Sequence, residues 1–265
     1  MTIIDTHAHI YPDQIALRAA ASTGAFYGIP MCMDGTLSQL LSHGQAAGIS
    51  RFLVHSVAIT PERVHSINDY LMRTAAAYPD KLIGFGAMHP GYGDVPGELE
   101  RLKAGGLHGV KLHPDIQRFR LDDENAIAMF QAMAELGLPA LVHTGDTRYP
   151  YSEPDRMARV LERVPKLKAI CAHLGGWSVW DKAWRSLAGR PNVWVDTSSS
   201  LYALEPAAAA DIIRHYGVEQ VFFGTDYPMW KPEEEVARFM ALPLTDAERE
   251  AVLHLNFERF LSELT

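Results

Sequence analysis

The sequence predicts a single (β/α)₈ barrel, and three observations lead to this prediction. Short β-branched runs alternate with segments of helical periodicity along the whole 265-residue chain. Each predicted strand is too apolar to present a wet face, which is typical of parallel sheets covered on both sides. No GxGxxG motif opens a helix after a strand, so a barrel is favoured over a doubly wound nucleotide-binding sheet.

The elements follow one another without a linker or a low-complexity segment, so residues 1–265 are predicted to form one domain. Several predicted helices carry end signals: Pro154 suits a first turn, Gly137 and Gly217 suit C-terminal positions, and Ser152 with Asp155 resembles a capping pair. The eight predicted strands are residues 2–5, 51–57, 82–87, 109–112, 139–142, 168–172, 193–196 and 221–224. The clearest helical patterns are residues 61–77, 125–136, 154–164, 205–215 and 246–261.

Composition narrows the classes of partner. The formal net charge is -8 and the lysines and arginines are scattered, which argues against a nucleic-acid-binding face. No apolar run approaches the roughly 18 residues that a membrane span needs. Cys32 and Cys171 form no CxxC pair and nothing resembling a signal peptide precedes Ile3, so we expect a cytoplasmic protein. The expected partner is a small-molecule substrate, and a homo-oligomer is left open.

Polar residues collect at the predicted strand ends. In a (β/α)₈ barrel the chemistry takes place at the C-terminal ends of the strands, so these positions are candidates for a functional site. Most of them are histidines. The polar residues at these ends are His7, His9, His55, His89, Lys111, His113, His143, His173, Asp196 and Asp226.

The pair His7 and His9 indicates a metal site. Alternate side chains of an extended segment point the same way, so both rings can face one ion, and neutral imidazole is a common zinc ligand. An HxH motif alone is a weak signal. It is strengthened by His143, His173 and Asp226 at other strand ends, because several ligand types then converge on one rim.

Other histidines have less specific interpretations. Those inside helical patterns are read as ordinary helix residues. For His55, His89 and His108 two interpretations stay open, a pocket residue or a cap of a backbone carbonyl. Asp5 either supports a ligand or has a structural role, and Cys171 is expected in the core. The helix histidines are His43, His65, His215 and His254.

Basic and aromatic residues near the rim are candidates for substrate binding. Lys111 and His113 lie at alternate positions leading into a loop and are expected to face the pocket. Together with Arg148 they indicate a carboxylate-bearing molecule, with solvated surface charge as the alternative for each arginine. Trp177 and Trp230 lie nearest the rim and are expected to line the pocket. Arg118 and Arg120 are also placed near the mouth, and Trp180 and Trp184 are assigned to packing.

A series of segments gives a more specific indication. The runs IIDTHAHIYP, GVKLHPDIQRF, LVHTGD, AHLGG, VWVDTSS, FGTDYP and LNFERFL occur in this order over nearly the whole chain. The chain thereby resembles the amidohydrolase superfamily, in particular the amidohydrolase-related (amidohydrolase 2) branch that contains aminocarboxymuconate-semialdehyde decarboxylase-like proteins. The resemblance implies a TIM barrel whose metal is held by His7, His9, His143 and Asp226.

The resemblance also implies roles around that metal. His173 would lie beside the metal-bound water, and Lys111 stands where two-metal members carry a carbamylated lysine, so one or two ions are expected. Mixed nitrogen and oxygen ligands favour zinc first. A bound ion lowers the pKa of water from 15.7 to about 7, and Asp226 would accept its proton while His173 holds the water or polarises a carbonyl.

The reaction expected from this chemistry is hydrolysis of an amide, lactone or ester. Two alternatives remain: non-oxidative decarboxylation of an aromatic or unsaturated acid, and a non-enzymatic barrel that binds metal or a ligand. Hydrolysis is preferred because 265 residues leave little room for pocket-shaping insertions, and because Lys111 looks more like the hydrolytic members.

Overall fold

The computed structural model describes residues 2–264, and the strands in this range are short and all pair in parallel. The nine strands are β1 (Ile4–His9), β2 (Arg51–His55), β3 (Leu82–Gly84), β4 (Gly86–Ala87), β5 (Val110–Leu112), β6 (Ala140–Val142), β7 (Ala169–Cys171), β8 (Val193–Asp196) and β9 (Val221–Phe222).

Helices fill the connections between the strands. Short 3₁₀ turns cover Pro61–Arg63 and Val218–Gln220, and a π-helix at Ala251–Leu255 joins the last two α-helices. Among residues 2–264, no helix has the length and apolar character that crossing a membrane requires. The α-helices are α1 (Asp13–Tyr27), α2 (Leu37–Ala46), α3 (Val64–Ala77), α4 (Val95–Ala104), α5 (Pro114–Gln117), α6 (Glu124–Glu135), α7 (Pro154–Arg163), α8 (Trp180–Leu187), α9 (Pro206–Tyr216), α10 (Pro232–Met240), α11 (Asp246–Glu250) and α12 (Asn256–Ser262).

The strand order confirms the predicted fold class. One sheet has the order β1-β2-β3 and the other runs from β4 to β9 in sequence order. Phe85 separates β3 from β4, and its N–H donates to the carbonyl of Val54 at 3.0 Å, so the predicted third strand is one strand with a break. At the other end, the N–H of Thr6 donates to Phe223 O at 2.9 Å, which links β1 to the end of β9. The strands thus follow one another as in a (β/α)₈ barrel.

Alternation along each short strand separates two apolar layers. Phe52 and Val54 pack outward against the helices, whereas Leu53 between them belongs to an inner cluster. Leu141 and Ile170 occupy the same inner layer from β6 and β7. Phe257 and Phe260 of α12 pack against Phe222 with ring centroids 5.2 and 5.5 Å apart, and together these residues form the inner apolar cluster.

Three of the predicted end signals occur as expected and one does not. Pro154 occupies the first turn of α7, and Gly137 and Gly217 follow α6 and α9 with φ of 69° and 90°. The capping pair of Ser152 is wrong. The residue before α7 is Glu153, with no capping bond, and Ser152 Oγ donates instead to Asp115 Oδ2 at 2.5 Å.

Asn68 ties α3 to the break in the sheet and gives a stability test. Its buried amide accepts from Ala87 N at 2.7 Å and donates to Ala87 O at 3.1 Å and to Glu98 Oε1 at 2.7 Å. Asn68→Leu keeps the branched shape and the number of heavy atoms but removes these bonds. Because an unsatisfied buried group costs about 1–3 kcal/mol, we expect the free energy of unfolding to fall by roughly 2–4 kcal/mol.

Urea unfolding measures this change, and Asn125→Leu is the matched control because Asn125 is exposed near the start of α6. The control should stay within about 0.5 kcal/mol of the parent protein. An equally small change for Asn68→Leu would show that the amide does not hold this part of the sheet.

Candidate metal centre and active site

A cavity of about 260 Å³ contains most of the predicted site residues. His9, His143, His173 and Asp226 line it, and Lys111 lies at its base with 1% of its surface exposed. The rest of the wall is mainly apolar and aromatic, and part of it comes from α1. The side chains that the sequence places at separate strand ends therefore meet in one buried space.

Strand alternation explains why these side chains point inward. Two positions beyond the inner Leu53 of β2 lies His55, and two positions beyond the inner Leu141 of β6 lies His143. Lys111 is the inward residue of β5, between the outward Val110 and Leu112. His55, Lys111 and His143 thus form a polar layer inside the barrel, one layer closer to the C-terminal ends of the strands than the inner apolar cluster.

Two roles were open for Asp5, support of a metal ligand or a structural role, and its contacts favour the structural one. The register of β1 with β2 shifts between Asp5 and Ala8, and Asp5 accepts from the backbone of His7 and from both the N–H and the hydroxyl of Thr225 at 2.6–3.0 Å. Burial raises the pKa of Asp5 to about 7. These contacts fix the bulge that turns His7 into the site.

Hydrogen bonds determine which nitrogen of each ring carries the proton. His7 Nδ1 lies 2.9 Å from Asp196 Oδ2, and His173 Nδ1 lies 3.0 Å from the carbonyl of Ser198. Since these oxygens accept hydrogen bonds, both rings carry their proton on Nδ1. The Nε2 atoms of His7 and His173 are therefore lone-pair acceptors.

His143 has the opposite tautomer. Its Nε2 lies 3.0 Å from Gly145 O, so its Nδ1 carries the lone pair. That Nδ1 lies 2.9 Å from Nε2 of His173, and two acceptors therefore face each other. Two facing lone pairs repel each other unless a positive charge lies beside them, so this contact fits a site next to a positive ion.

Asp226 adds a carboxylate to the same space. Its Oδ1 lies 3.4 Å from His7 Nε2 and 3.6 Å from His9 Nε2, and its Oδ2 accepts from Ser199 Oγ at 2.5 Å. Lys111 Nζ donates to His7 Nε2 at 3.0 Å. Burial lowers the pKa of Lys111 to about 8, so the amine is still mostly protonated at pH 7.

Burial also keeps the imidazoles neutral. It lowers the pKa of His9 to about 3 and the pKa values of His7 and His143 well below the usual range. The pKa of His173 is also lowered by burial. Neutral rings with free lone pairs and one carboxylate are the donors that a divalent transition metal prefers, so the residues present fit such an ion.

Of the predicted substrate-binding residues, Lys111 and His113 line the cavity but Arg148 does not. The Arg148 guanidinium is paired with Asp146 at 2.7 and 2.9 Å and donates to Phe26 O at 2.7 Å. Arg118 and Arg120 are exposed. The alternative interpretation therefore applies to these arginines, because an adjacent carboxylate or solvent takes up each charge.

Trp177 and Trp230 also lie behind the wall rather than in it. Trp177 packs against Tyr27 with ring centroids 5.1 Å apart and donates to Tyr202, while Trp230 donates to Ser199 Oγ at 2.9 Å. Each indole needs a partner for its N–H and finds one outside the cavity. Their predicted pocket-lining role is corrected accordingly, and Trp230 instead supports the hydroxyl that holds Asp226.

The structure distinguishes between the two interpretations left open for His55, His89 and His108, a pocket residue or a backbone cap. His89 Nε2 lies 3.4 Å from the carbonyl of Gln117, which is the predicted carbonyl cap, and its Nδ1 accepts from Gly91 N at 3.0 Å. His108 is exposed. His55 is fully buried beside His7 and His9. The four histidines assigned to helices lie in or at helical segments away from the cavity, as predicted.

Sequence reasoning missed Tyr27, the last residue of α1. Its hydroxyl lies 2.5 Å from His113 Nε2 and 3.4 Å from His143 Nδ1. His113 Nδ1 accepts from Ile116 N at 3.3 Å, so His113 Nε2–H donates to Tyr27 and leaves the tyrosine proton free to donate. No periodicity signal shows that α1 covers the site. From the sequence, no role was assigned to Asp196 either, although its position at a strand end could have indicated one.

Comparison with known proteins places the chain in a family. The family model described as amidohydrolase matches residues 4–262. A TIM-barrel protein from Bordetella bronchiseptica aligns with a TM-score of 0.80 at 23% identity, covering 100% of this chain and 99% of the other. For 5-carboxyvanillate decarboxylase from Sphingomonas paucimobilis the TM-score is 0.78 at 18% identity, with 98% and 99% covered.

Two further comparisons bear on the metal and on sequence similarity. A dihydroxybenzoic acid decarboxylase from Polaromonas sp., solved with bound manganese and 2-nitroresorcinol, aligns with a TM-score of 0.72 at 16% identity, covering 98% of this chain and 97% of the other. A dihydroorotase from Pseudomonas paraeruginosa is 35% identical over 91 residues, 29% of this chain. The match spans only 26% of that relative's length. Because the family model covers nearly all of the sequence, the chain belongs to the amidohydrolase family.

Proposed function

We propose that the protein is a metal-dependent hydrolase that cleaves an amide, lactone or ester bond of a small molecule. The observation that carries this proposal is the Asp226 carboxylate, whose Oδ1 faces the cavity among neutral ring nitrogens and accepts no hydrogen bond from residues 2–264. Such a carboxylate is placed to accept a proton from water. The sequence match to dihydroorotases also supports a hydrolytic reaction.

We assign the metal to His7, His9, His143 and Asp226, with zinc as the first choice and one or two ions. When bound, the ion supplies a Lewis acid that activates water and polarises a substrate oxygen. Three imidazoles and one carboxylate suit zinc in ligand type and number. Manganese, found in one similar structure, is the alternative.

The neighbouring side chains have separate roles in proton transfer and in orienting water. Asp226 Oδ1 accepts the proton of the attacking water and returns it to the leaving group, while Ser199 holds Oδ2 in place. His173 presents a lone pair, because its other nitrogen donates to Ser198 O, so it can accept a hydrogen bond from water but cannot donate to a carbonyl. Of its two predicted roles, we therefore retain the one that orients water.

The cavity limits the substrate. Its volume of about 260 Å³ suits a molecule of about one ring, and its walls are mainly apolar. The Lys111 ammonium and the Tyr27 hydroxyl are donors that line it beside the histidines. We infer a small substrate with carbonyl or carboxylate oxygens, held by these donors and not by arginines.

Decarboxylation of an aromatic acid is the second candidate. The apolar one-ring cavity favours it, and two of the structures with the same fold are named decarboxylases. Asp226 would then deliver a proton to the ring carbon that loses carbon dioxide. The two reactions use the same side chains and differ in where that proton goes.

Removing a ligand should remove the metal. His7→Ala and His143→Ala each delete a ring whose lone pair faces the site, so elemental analysis of the purified variants should find the bound divalent ion largely lost. His89→Ala is the control, because that histidine caps a backbone N–H outside the cavity. Full metal content in both ligand variants would refute the assignment.

His173 should matter for rate more than for metal content. Because its Nε2 is proposed to orient water, His173→Ala should keep its ion while turnover falls by about 10²–10⁴-fold. His215→Ala is the control. It removes a ring that lies away from the cavity and stacks on Trp184, with ring centroids 4.1 Å apart. Normal turnover would remove His173 from the mechanism, and loss of the ion would make it a ligand.

Product analysis separates the two reactions. The metal-loaded enzyme is incubated with panels of lactones, amides, esters and aromatic carboxylates, with proton release and carbon dioxide followed separately. We expect hydrolysis within the first three panels, abolished in Asp226→Asn because the amide cannot accept the proton. Carbon dioxide release from a carboxylate without any hydrolysis would establish the decarboxylase instead.

A further inference from the structure

We propose that His55 is a further metal ligand, which forms a three-histidine site with His7 and His9 at the ends of β1 and β2. The inference rests on the metal site proposed above and extends it to a strand from which no ligand has been assigned. It also specifies the kind of ion, since a site richer in imidazole favours zinc, cobalt or nickel over manganese or magnesium.

The strand register brings His55 to the site. His55 ends β2 and pairs directly with His9 of β1 in the parallel ladder. Its ring centroid lies 4.4 Å from that of His9 and 4.8 Å from that of His7, with near-perpendicular planes. One ring nitrogen from each of the three residues lies within 4.8 Å of the others.

Among residues 2–264, neither nitrogen of the buried His55 ring has a hydrogen-bond partner, and the same holds for Nδ1 of His9. The other inward histidines differ, since His7 and His143 each donate to an acidic or carbonyl oxygen. Leaving a buried polar group unpaired is unfavourable. The protein atoms around His55 therefore leave room for a partner that is not part of the chain.

The three rings can share a cation. His7 Nε2 is a lone pair because its Nδ1–H faces Asp196, and His9 and His55 each have at least one ring lone pair when neutral. Without an ion, Lys111 Nζ donates to His7 Nε2 at 3.0 Å, whereas the ring of His55 finds no partner among residues 2–264. A divalent ion accepts a lone pair from each of the three rings.

The test compares metal binding by the whole protein before and after removal of the His55 ring. Metal-free protein, prepared with a chelator, is titrated with Zn²⁺ by calorimetry and with Co²⁺ by visible absorption, and its thermal midpoint is measured with and without Zn²⁺. The variants are His55→Leu, His55→Gln and His7→Ala, with His89→Leu as the matched control at another strand end.

For His55→Leu we expect Zn²⁺ affinity to fall by at least about 10-fold, an altered Co²⁺ spectrum and a smaller Zn²⁺-induced rise in the thermal midpoint. The midpoint of the metal-free variant should not fall, because leucine removes two unpaired polar groups. His89→Leu should match the parent protein in all three measurements. If His55→Leu does not fold, the Zn²⁺ affinity and Co²⁺ spectrum of His55→Gln decide.

Two outcomes would contradict the proposal, and they are distinguishable. If His7→Ala loses the ion while the His55 variants keep the parent affinity and spectrum, His55 is not a ligand and the proposed metal site stands. A lower midpoint of the metal-free His55→Leu protein at unchanged Zn²⁺ affinity would assign His55 a structural role. If His7→Ala also binds Zn²⁺ like the parent protein, the proposed metal site itself fails.

Discussion

The geometry of the site depends on Asp196, a fully buried carboxylate at the end of β8. Oδ2 accepts from His7 Nδ1 at 2.9 Å, and Oδ1 accepts from the backbone N–H groups of His173 and Ser198 at 3.1 Å. A buried carboxylate is tolerated only when it is hydrogen-bonded in this way. These bonds turn the free nitrogen of His7 toward the cavity and, through the carbonyl of Ser198, that of His173 as well.

The same region holds backbone strain. His173, Ser199 and Asp226 have φ values of 62°, 44° and 58°, in the left-handed region that residues other than glycine avoid. Such conformations persist where surrounding bonds determine them. Here Asp196 binds the His173 backbone and Ser199 binds the Asp226 side chain, so the contacts that orient the ligands also hold the strained chain.

Sequence periodicity predicts what strand alternation controls. The inward direction of Lys111 and His143 follows from their strands, and so does their meeting at one rim. Sequence periodicity does not reveal which connecting helix covers the rim, and for this reason it does not identify Tyr27 of α1. Arg148 was misplaced for a related reason, since only the fold shows that Asp146, two residues earlier, takes up its charge.

The charge balance of the site favours an anionic ligand even without arginines in the cavity wall. In the proposed site, a divalent ion held by neutral imidazoles and the Asp226 carboxylate would leave one positive charge, and protonated Lys111 would add another within the same buried space. Asp196, bonded behind His7, offsets one of them. Because charge is poorly screened in a cavity with mainly apolar walls, the remaining positive charge favours hydroxide, a carboxylate or a developing oxyanion. Both proposed reactions would develop such a charge beside Lys111. We therefore propose that this residue, which distinguishes the rim from a plain histidine cluster, binds the oxygens of the substrate whichever bond is broken.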